Sequence, residues 1–146
     1  MRIKNRWVVI FLIIAALQLS ACAQKQAATD KISPVTLATM EGSDLKRLVL
    51  TEKAAERIDL QTAKVQEESV NGINRIVVPY AAVIYDLHGE TWLYTNPEPL
   101  TYVREAIIID SIDGDKAILV EGPSNGTEVV TVGVAELFGA ETGVSK

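Results

Sequence analysis

The sequence predicts a mainly β fold: a small β-barrel or β-roll of about six to seven mostly antiparallel strands with one or two short helices. Three observations lead there. Short apolar or alternating runs recur with turn residues between them, at spacings of roughly 8–12 residues. Asn71-Gly72 stands between two such runs, and this dipeptide is the strongest short hairpin signal, because both central residues of a type I′ turn take positive φ. Neither an internal repeat nor a heptad pattern is present, which sets aside solenoids and coiled coils.

Taken in order, Leu48-Val49-Leu50 is the candidate first strand. Thr51 is placed to cap a small helix over residues 52–58, with Glu52 in its first turn. A more polar strand over 65–70 meets the Asn71-Gly72 turn, and residues 73–78 return as its partner. Pro79 marks an edge or a bend, since proline gives no amide to a ladder. Residues 86–90 (DLHGE) read as a turn, 91–95 as a strand and Asn96-Pro97-Glu98-Pro99 as a loop. The longest strand is expected over 101–110, turned back by Asp113-Gly114-Asp115 into a strand over 116–120. A loop over 122–126 and a strand over 128–132 follow, then a helical turn over 135–138 stopped by Gly139. The two helical pieces are expected to plug the ends of the barrel.

The N-terminus has a different character. Arg2, Lys4 and Arg6 precede an apolar run over residues 7–17, and small residues lead to the sole cysteine, the pattern of an export signal. The run is about half the roughly 20 apolar residues that a spanning helix needs. Leu19-Ser20-Ala21-Cys22 resembles a bacterial lipobox. That resemblance implies a diacylglycerol on the Cys22 thiol and cleavage just before it, so that residues 1–21 are a lipoprotein signal peptide. The expected location is extracytoplasmic, lipid-anchored to the cell membrane, with inner and outer membrane both open. Residues 22–43 are the lipidated N-terminus and a flexible tether: 23–43 are small and polar, lack a sustained period and contain Pro34 and Gly42. Residues 44–146 are left for one folded domain.

Without the signal the chain has 11 basic against 19 acidic residues. Nucleic acid is not an expected partner, because phosphates call for clustered Lys and Arg. With Cys22 acylated no thiol remains for a disulfide, a thiolate nucleophile or a metal. No cofactor is expected. Residues 110–115 (DSIDGD) fail the calcium-loop pattern, since Ile112 and Gly114 hold the third and fifth places where oxygen ligands belong. His88 is the only histidine, and one such ligand makes a weak metal site. No serine motif lies beside it for nucleophilic catalysis. Trp92, Tyr94, Tyr102, Tyr80, Tyr85 and Phe138 are either a ligand-binding aromatic cluster or core, and the period-two placement of Trp92 and Tyr94 on one strand favours core. Asn125-Gly126-Thr127 matches a glycosylation acceptor but sits where a turn is expected.

Residues 76–144 resemble the C-terminal end of the periplasmic adaptor (membrane fusion) proteins of resistance-nodulation-division efflux pumps. The residues that carry this are Val78-Pro79-Tyr80-Ala81-Ala82-Val83, then Gly89 with Thr91-Trp92-Leu93-Tyr94, then Asp113-Gly114-Asp115 with Ile118-Leu119-Val120 and Gly122, and the stretch 126–137 (GTEVVTVGVAEL). Residues 49–58 (VLTEKAAERI) resemble the family's opening strand and helix. Pro123 and Thr127 depart from a usual leucine and a usual acidic residue. In full-length adaptors the chain leaves this membrane-proximal domain for a long excursion and returns to complete it; here Asn71-Gly72 closes the gap directly. The resemblance is to the membrane-proximal domain only, in the form of a small lipoprotein.

That resemblance implies a non-enzymatic, lipid-anchored adaptor-like module of an efflux or transport system, docking on the external part of a membrane transporter. The partners it implies are membrane lipid through Cys22, and a resistance-nodulation-division or other membrane transporter with longer adaptor subunits. The partner-docking loops are expected at 85–91 and 95–101, through His88, Glu90, Pro97, Glu98 and Pro99. The alternative is a small-ligand- or ion-binding lipoprotein that reuses the same domain.

Overall fold

The computed structural model describes residues 33–40 and 42–143, and among them the chain forms eleven strands, two α-helices and one 3-10 turn. The protein is mainly β and every strand pairing is antiparallel. The larger sheet holds β1 (Val35–Thr39), β2 (Lys46–Leu50), β3 (Gln61–Lys64), β6 (Ile84–Tyr85), β7 (Thr91–Glu98), β8 (Thr101–Ala106) and β11 (Glu128–Val132). Its order is β1-β2-β8-β7-β11-β3, with β6 on β7. The smaller sheet has the order β4-β5-β10-β9, from β4 (Gln66–Val70), β5 (Ile73–Pro79), β9 (Ile108–Asp113) and β10 (Lys116–Glu121). Helix α1 covers Glu52–Arg57 and α2 covers Val134–Thr142.

The sheets do not close into a barrel; each keeps two edges, β1 and β3 in one, β4 and β9 in the other. One core lies between them, where Leu93 and Val129 of the larger sheet meet Val78, Ala117 and Leu119 of the smaller. A second core covers the other face of the larger sheet, where Leu48, Tyr94, Tyr102 and Val130 meet Leu137 of α2, with Ala54 and Ala55 of α1 packed against them. The helices therefore roof a sheet face and do not plug barrel ends. Leu93, Tyr94 and Thr95 are consecutive and all buried, as expected of a strand covered on both faces.

The strand expected over 101–110 proves to be two, and the one expected over 65–70 is preceded by another in the other sheet. Residues 61–70 run as β3 in the larger sheet and β4 in the smaller, and residues 101–113 divide likewise into β8 and β9. The change of sheet happens at a single buried residue each time, Val65 and Ile107, 1% and 4% exposed. Both keep their backbone bonded. Val65 donates its amide to Thr127 O at 2.8 Å and its carbonyl accepts from the Gly126 amide at 2.9 Å. Ile107 donates to Thr91 O at 3.0 Å and its carbonyl accepts from Thr91 Oγ1 at 2.6 Å. These bonds matter because a buried backbone group without a partner costs about 1–3 kcal/mol.

Local chemistry explains the remaining elements. Thr51 caps α1, its Oγ1 accepting from the Ala54 amide at 3.2 Å. Asn71 and Gly72, at φ 52° and 79°, join β4 to β5 as adjacent antiparallel strands with Val70 opposite Ile73. Three expectations need correction. Part of the expected tether is β1, which pairs with β2 and packs Val35 on the second core; its β-branched and apolar residues suit a ladder despite the polar neighbourhood. Asn96-Pro97-Glu98 belongs to β7, and the register slips between Thr95 and Glu98. A bulge accommodates the missing amide of Pro97, and Asn96 Nδ2 stands in by donating to Glu98 O and Thr101 O at 2.7 and 2.9 Å. Helix α2 continues through Gly139 and ends at Gly143, φ 77°. Burial of Leu137 and Glu141 on either side outweighs the roughly 1 kcal/mol that an internal glycine costs.

A Cβ at Gly72 would meet nothing within 4 Å, so any cost of a side chain there is conformational. Replacing Gly72 by Val is expected to lower stability by about 1–2 kcal/mol, read from urea melts. The β4–β5 register and the remaining fold should be kept.

Candidate functional site

The residues expected at the membrane anchor, Leu19, Ser20, Ala21 and Cys22, lie outside the described residues. The expected docking residues fall into two separate places. His88 and Glu90 sit in the exposed turn that leads into β7, and Pro97, Glu98 and Pro99 sit at its far end. Eight residues of strand put these places about 25 Å apart, so they do not form one surface.

The turn at 86–90 is built by Asp86. Its Oδ1 accepts from the amides of His88 and Glu90 at 2.8 and 2.9 Å, and its Oδ2 accepts from Trp92 Nε1 at 3.1 Å. Desolvation works against the charged carboxyl, but these three donors together with the nearby His88 hold it below its ordinary value of 3.8. Gly89, at φ 81°, completes the reversal. The turn displays Leu87, whose side chain is 99% exposed. Just before it, Tyr80 and Tyr85 are exposed and adjacent; the side-chain hydrogen bond between them favours the protonated Tyr85 phenol and pushes it above its ordinary 10.0. Tyr85 also edges a shallow apolar groove formed with Ala81, Val83, Ile84, Val134 and Phe138. Residues 80–90 and the start of α2 thus form one exposed surface of aromatic and aliphatic groups, bordered by His88 and Glu90.

The far end of β7 is different. Leu100, at φ 59°, turns the chain there and accepts the Leu50 amide at 2.9 Å. Leu100 faces an open depression formed with Glu52, Glu56, Asp59 and Leu60, so this end is acidic. A third depression lies where Lys116 of β10 reaches Glu68 of β4 at 2.7 Å, across β5.

A buried polar cluster under α2 was not foreseen. Glu141 is 4% exposed, and its carboxyl accepts a short hydrogen bond from the Tyr94 hydroxyl. Arg104 Nε lies 3.4 Å from Glu141 Oε1 yet makes no hydrogen bond. Its guanidinium carbon is 4.3 Å from the Trp92 ring centre and 5.8 Å from that of Phe138, so cation–π attraction supplements the ion pair. Lys46 Nζ donates to Glu141 O at 3.0 Å. The partners stand far apart in the chain, and only an amphipathic reading of 134–142 that left Glu141 on the apolar side would have flagged them. The cluster pins α2 to the sheet. Tyr94, Tyr102, Trp92 and Phe138 belong to the second core, while Tyr80 and Tyr85 do not.

Among the described residues no group of three or more His, Cys, Asp or Glu side chains is placed to hold a metal ion. Among them also, no helix is long and apolar enough to cross a membrane. Asp113-Gly114-Asp115 is a hairpin turn, with Asp113 opposite Lys116. No protein-family model, curated protein or solved structure matches this chain.

Burial, the hydrogen bond to Glu141 and the charge of that carboxyl all hold the Tyr94 phenol far above its ordinary 10.0, against the smaller opposing effect of Arg104. The unfolded chain releases this proton near pH 10 and the folded chain keeps it. The associated stability is therefore complete below pH 10 and declines as pH rises past it. Tyr94→Phe should flatten that alkaline decline in urea melts across pH 8–11. At neutral pH it should cost about 1–3 kcal/mol, because a buried carboxyl loses its donor.

Proposed function

We propose that the chain is a non-enzymatic, lipid-anchored adaptor-like module, held to the membrane through Cys22 and docking on the external part of a transporter. The observation that carries this reading is the order of adaptor-like motifs from Val49 to Leu137, which spans the folded body. Each of these motifs falls on a defined element: 49–58 on β2 and α1, 78–83 on β5 and the 3-10 turn, 91–94 on β7, 113–120 on the β9–β10 hairpin and 126–137 on β11 and α2. The Asn71-Gly72 turn joins β4 and β5 directly, where a full-length adaptor would leave on its excursion. A module without that excursion has no means of building a tunnel, which favours an accessory or regulatory place beside longer adaptors.

The surface at residues 80–90 is the docking site in this reading. Exposed tyrosines offer a large contact area at small entropic cost, and Leu87 is an apolar residue that is almost fully exposed. The interior favours docking over small-ligand binding, because Leu93, Leu119 and Val129 fill the space between the sheets.

Anchoring and docking are tested separately. Cys22→Ala should abolish acyl labelling and detergent partitioning; a labelled band from this variant would move the lipid elsewhere. Recovery of a transporter by pull-down from gently solubilised membranes tests the docking. Leu87→Ser with Glu90→Lys should weaken that capture with the thermal melt unchanged, as for exposed sites. Glu98→Lys, at the other end of β7, should leave capture intact. Failure to recover any transporter counts against the adaptor reading itself.

A further inference from the structure

We propose that β1 is a self-association edge, through which two copies of this chain pair antiparallel with Leu37 opposite Leu37 of the second copy. The backbone sets the pattern. On the inner side Thr51 donates its amide to Pro34 O at 3.1 Å and Met40 donates to Leu45 O at 3.4 Å, and the register pairs Leu37 with Leu48. Bonded and non-bonded positions alternate along an antiparallel ladder, so the even residues from Pro34 to Met40 face β2. Val35, Leu37 and Thr39 turn their amides and carbonyls outward, and among the described residues no strand takes them up. The Val35 carbonyl accepts from the Ser33 hydroxyl at 2.6 Å and keeps its second lone pair.

This edge is complementary to itself. With Leu37 opposite its own copy, Val35 falls opposite Thr39, and all three outward residues form bonded pairs, about six hydrogen bonds in total. The side chains agree with the backbone. Leu37 lies on the same face as its partner Leu48, which is fully buried in the second core, yet Leu37 is 41% exposed because the sheet ends there. The second copy's Leu37 would cover it, at a Cα separation of about 5.5 Å.

Charge separates β1 from the other edges. Self-pairing of β4 would bring Glu67 and Glu68 against their copies, and β9 carries Asp110 and Asp113 along with two register shifts. The third, β3, is four residues long and ends in Lys64. Like charges, irregularity and short length are the usual protections of an edge. In β1 there is no charge, no proline and no register shift. A two-fold pair then joins two larger sheets into one continuous sheet, a closed arrangement that stops at two copies.

The test needs no transporter, so it stands apart from the docking reading. The full chain purified in detergent should have a dimeric protein mass by light scattering. Oxidised Leu37→Cys should give a covalent dimer, whereas Thr39→Cys, offset from its own copy by about 13 Å, should not; the wild type, with Cys22 alone, is the baseline. Leu37→Lys should be monomeric and still melt cooperatively, and Val49→Lys, a similarly exposed apolar residue on the opposite sheet face, should remain dimeric. A monomeric wild type, equal cross-linking at positions 37 and 39, or loss of the dimer in Val49→Lys would each overturn the pairing.

Discussion

Two buried residues decide how this chain is laid out, because at Val65 and Ile107 it leaves one sheet and joins the other. Neither crossing has a turn residue to help it. What makes each one affordable is the bonding of both main-chain groups by segments far along the chain, the 126–127 loop for Val65 and Thr91 for Ile107. The crossings also lock the sheets together, since β3 and β4, or β8 and β9, cannot separate without exposing the residue between them. The smaller sheet is therefore two hairpins grafted at fixed points onto the larger one, and the core between the sheets forms where those grafts meet.

The other face of the larger sheet is closed by α2, and here the binding is electrostatic as well as apolar. Val134, Leu137, Phe138 and Ala140 supply the apolar contact of the helix with the sheet. The carboxyl of Glu141, set between the Tyr94 hydroxyl and the Arg104 guanidinium, fixes its register. A buried charge of this kind adds little net stability, but it penalises every arrangement that leaves it unpaired. With both faces of the sheet covered, the chemistry left for recognition is on the outside: the aromatic surface at residues 80–90, the acidic depression near Leu100, and the open edge of β1.

Features written in neighbouring residues were legible in the sequence. The Thr51 cap and the Asn71-Gly72 turn depend on side chains within three or four positions, and both stand where expected. The β-rich class was legible because turn residues punctuate it. The sheet crossings were not, since Val65 and Ile107 lie inside apolar or alternating runs and a change of sheet leaves the period of two intact. Pro97 was read as a loop residue because a bulge tolerates proline as readily as a loop does. β1 was hidden by the small polar residues around it. The Tyr94, Arg104 and Glu141 cluster was invisible for a different reason: no local rule links a strand, its neighbour and a helix 47 residues from the tyrosine.

The β4–β5 tip has a consequence for how such a chain can grow. Val70 and Ile73 are paired and exposed or half-exposed, well removed from both crossings, and nothing packs on the glycine between them. Any module whose two ends lie about one strand spacing apart, roughly 5 Å, can be spliced in there while the ladder below it continues to form. The tip is a natural port for gene-level insertion, and it allows this body to be enlarged by whole domains without renegotiating its core.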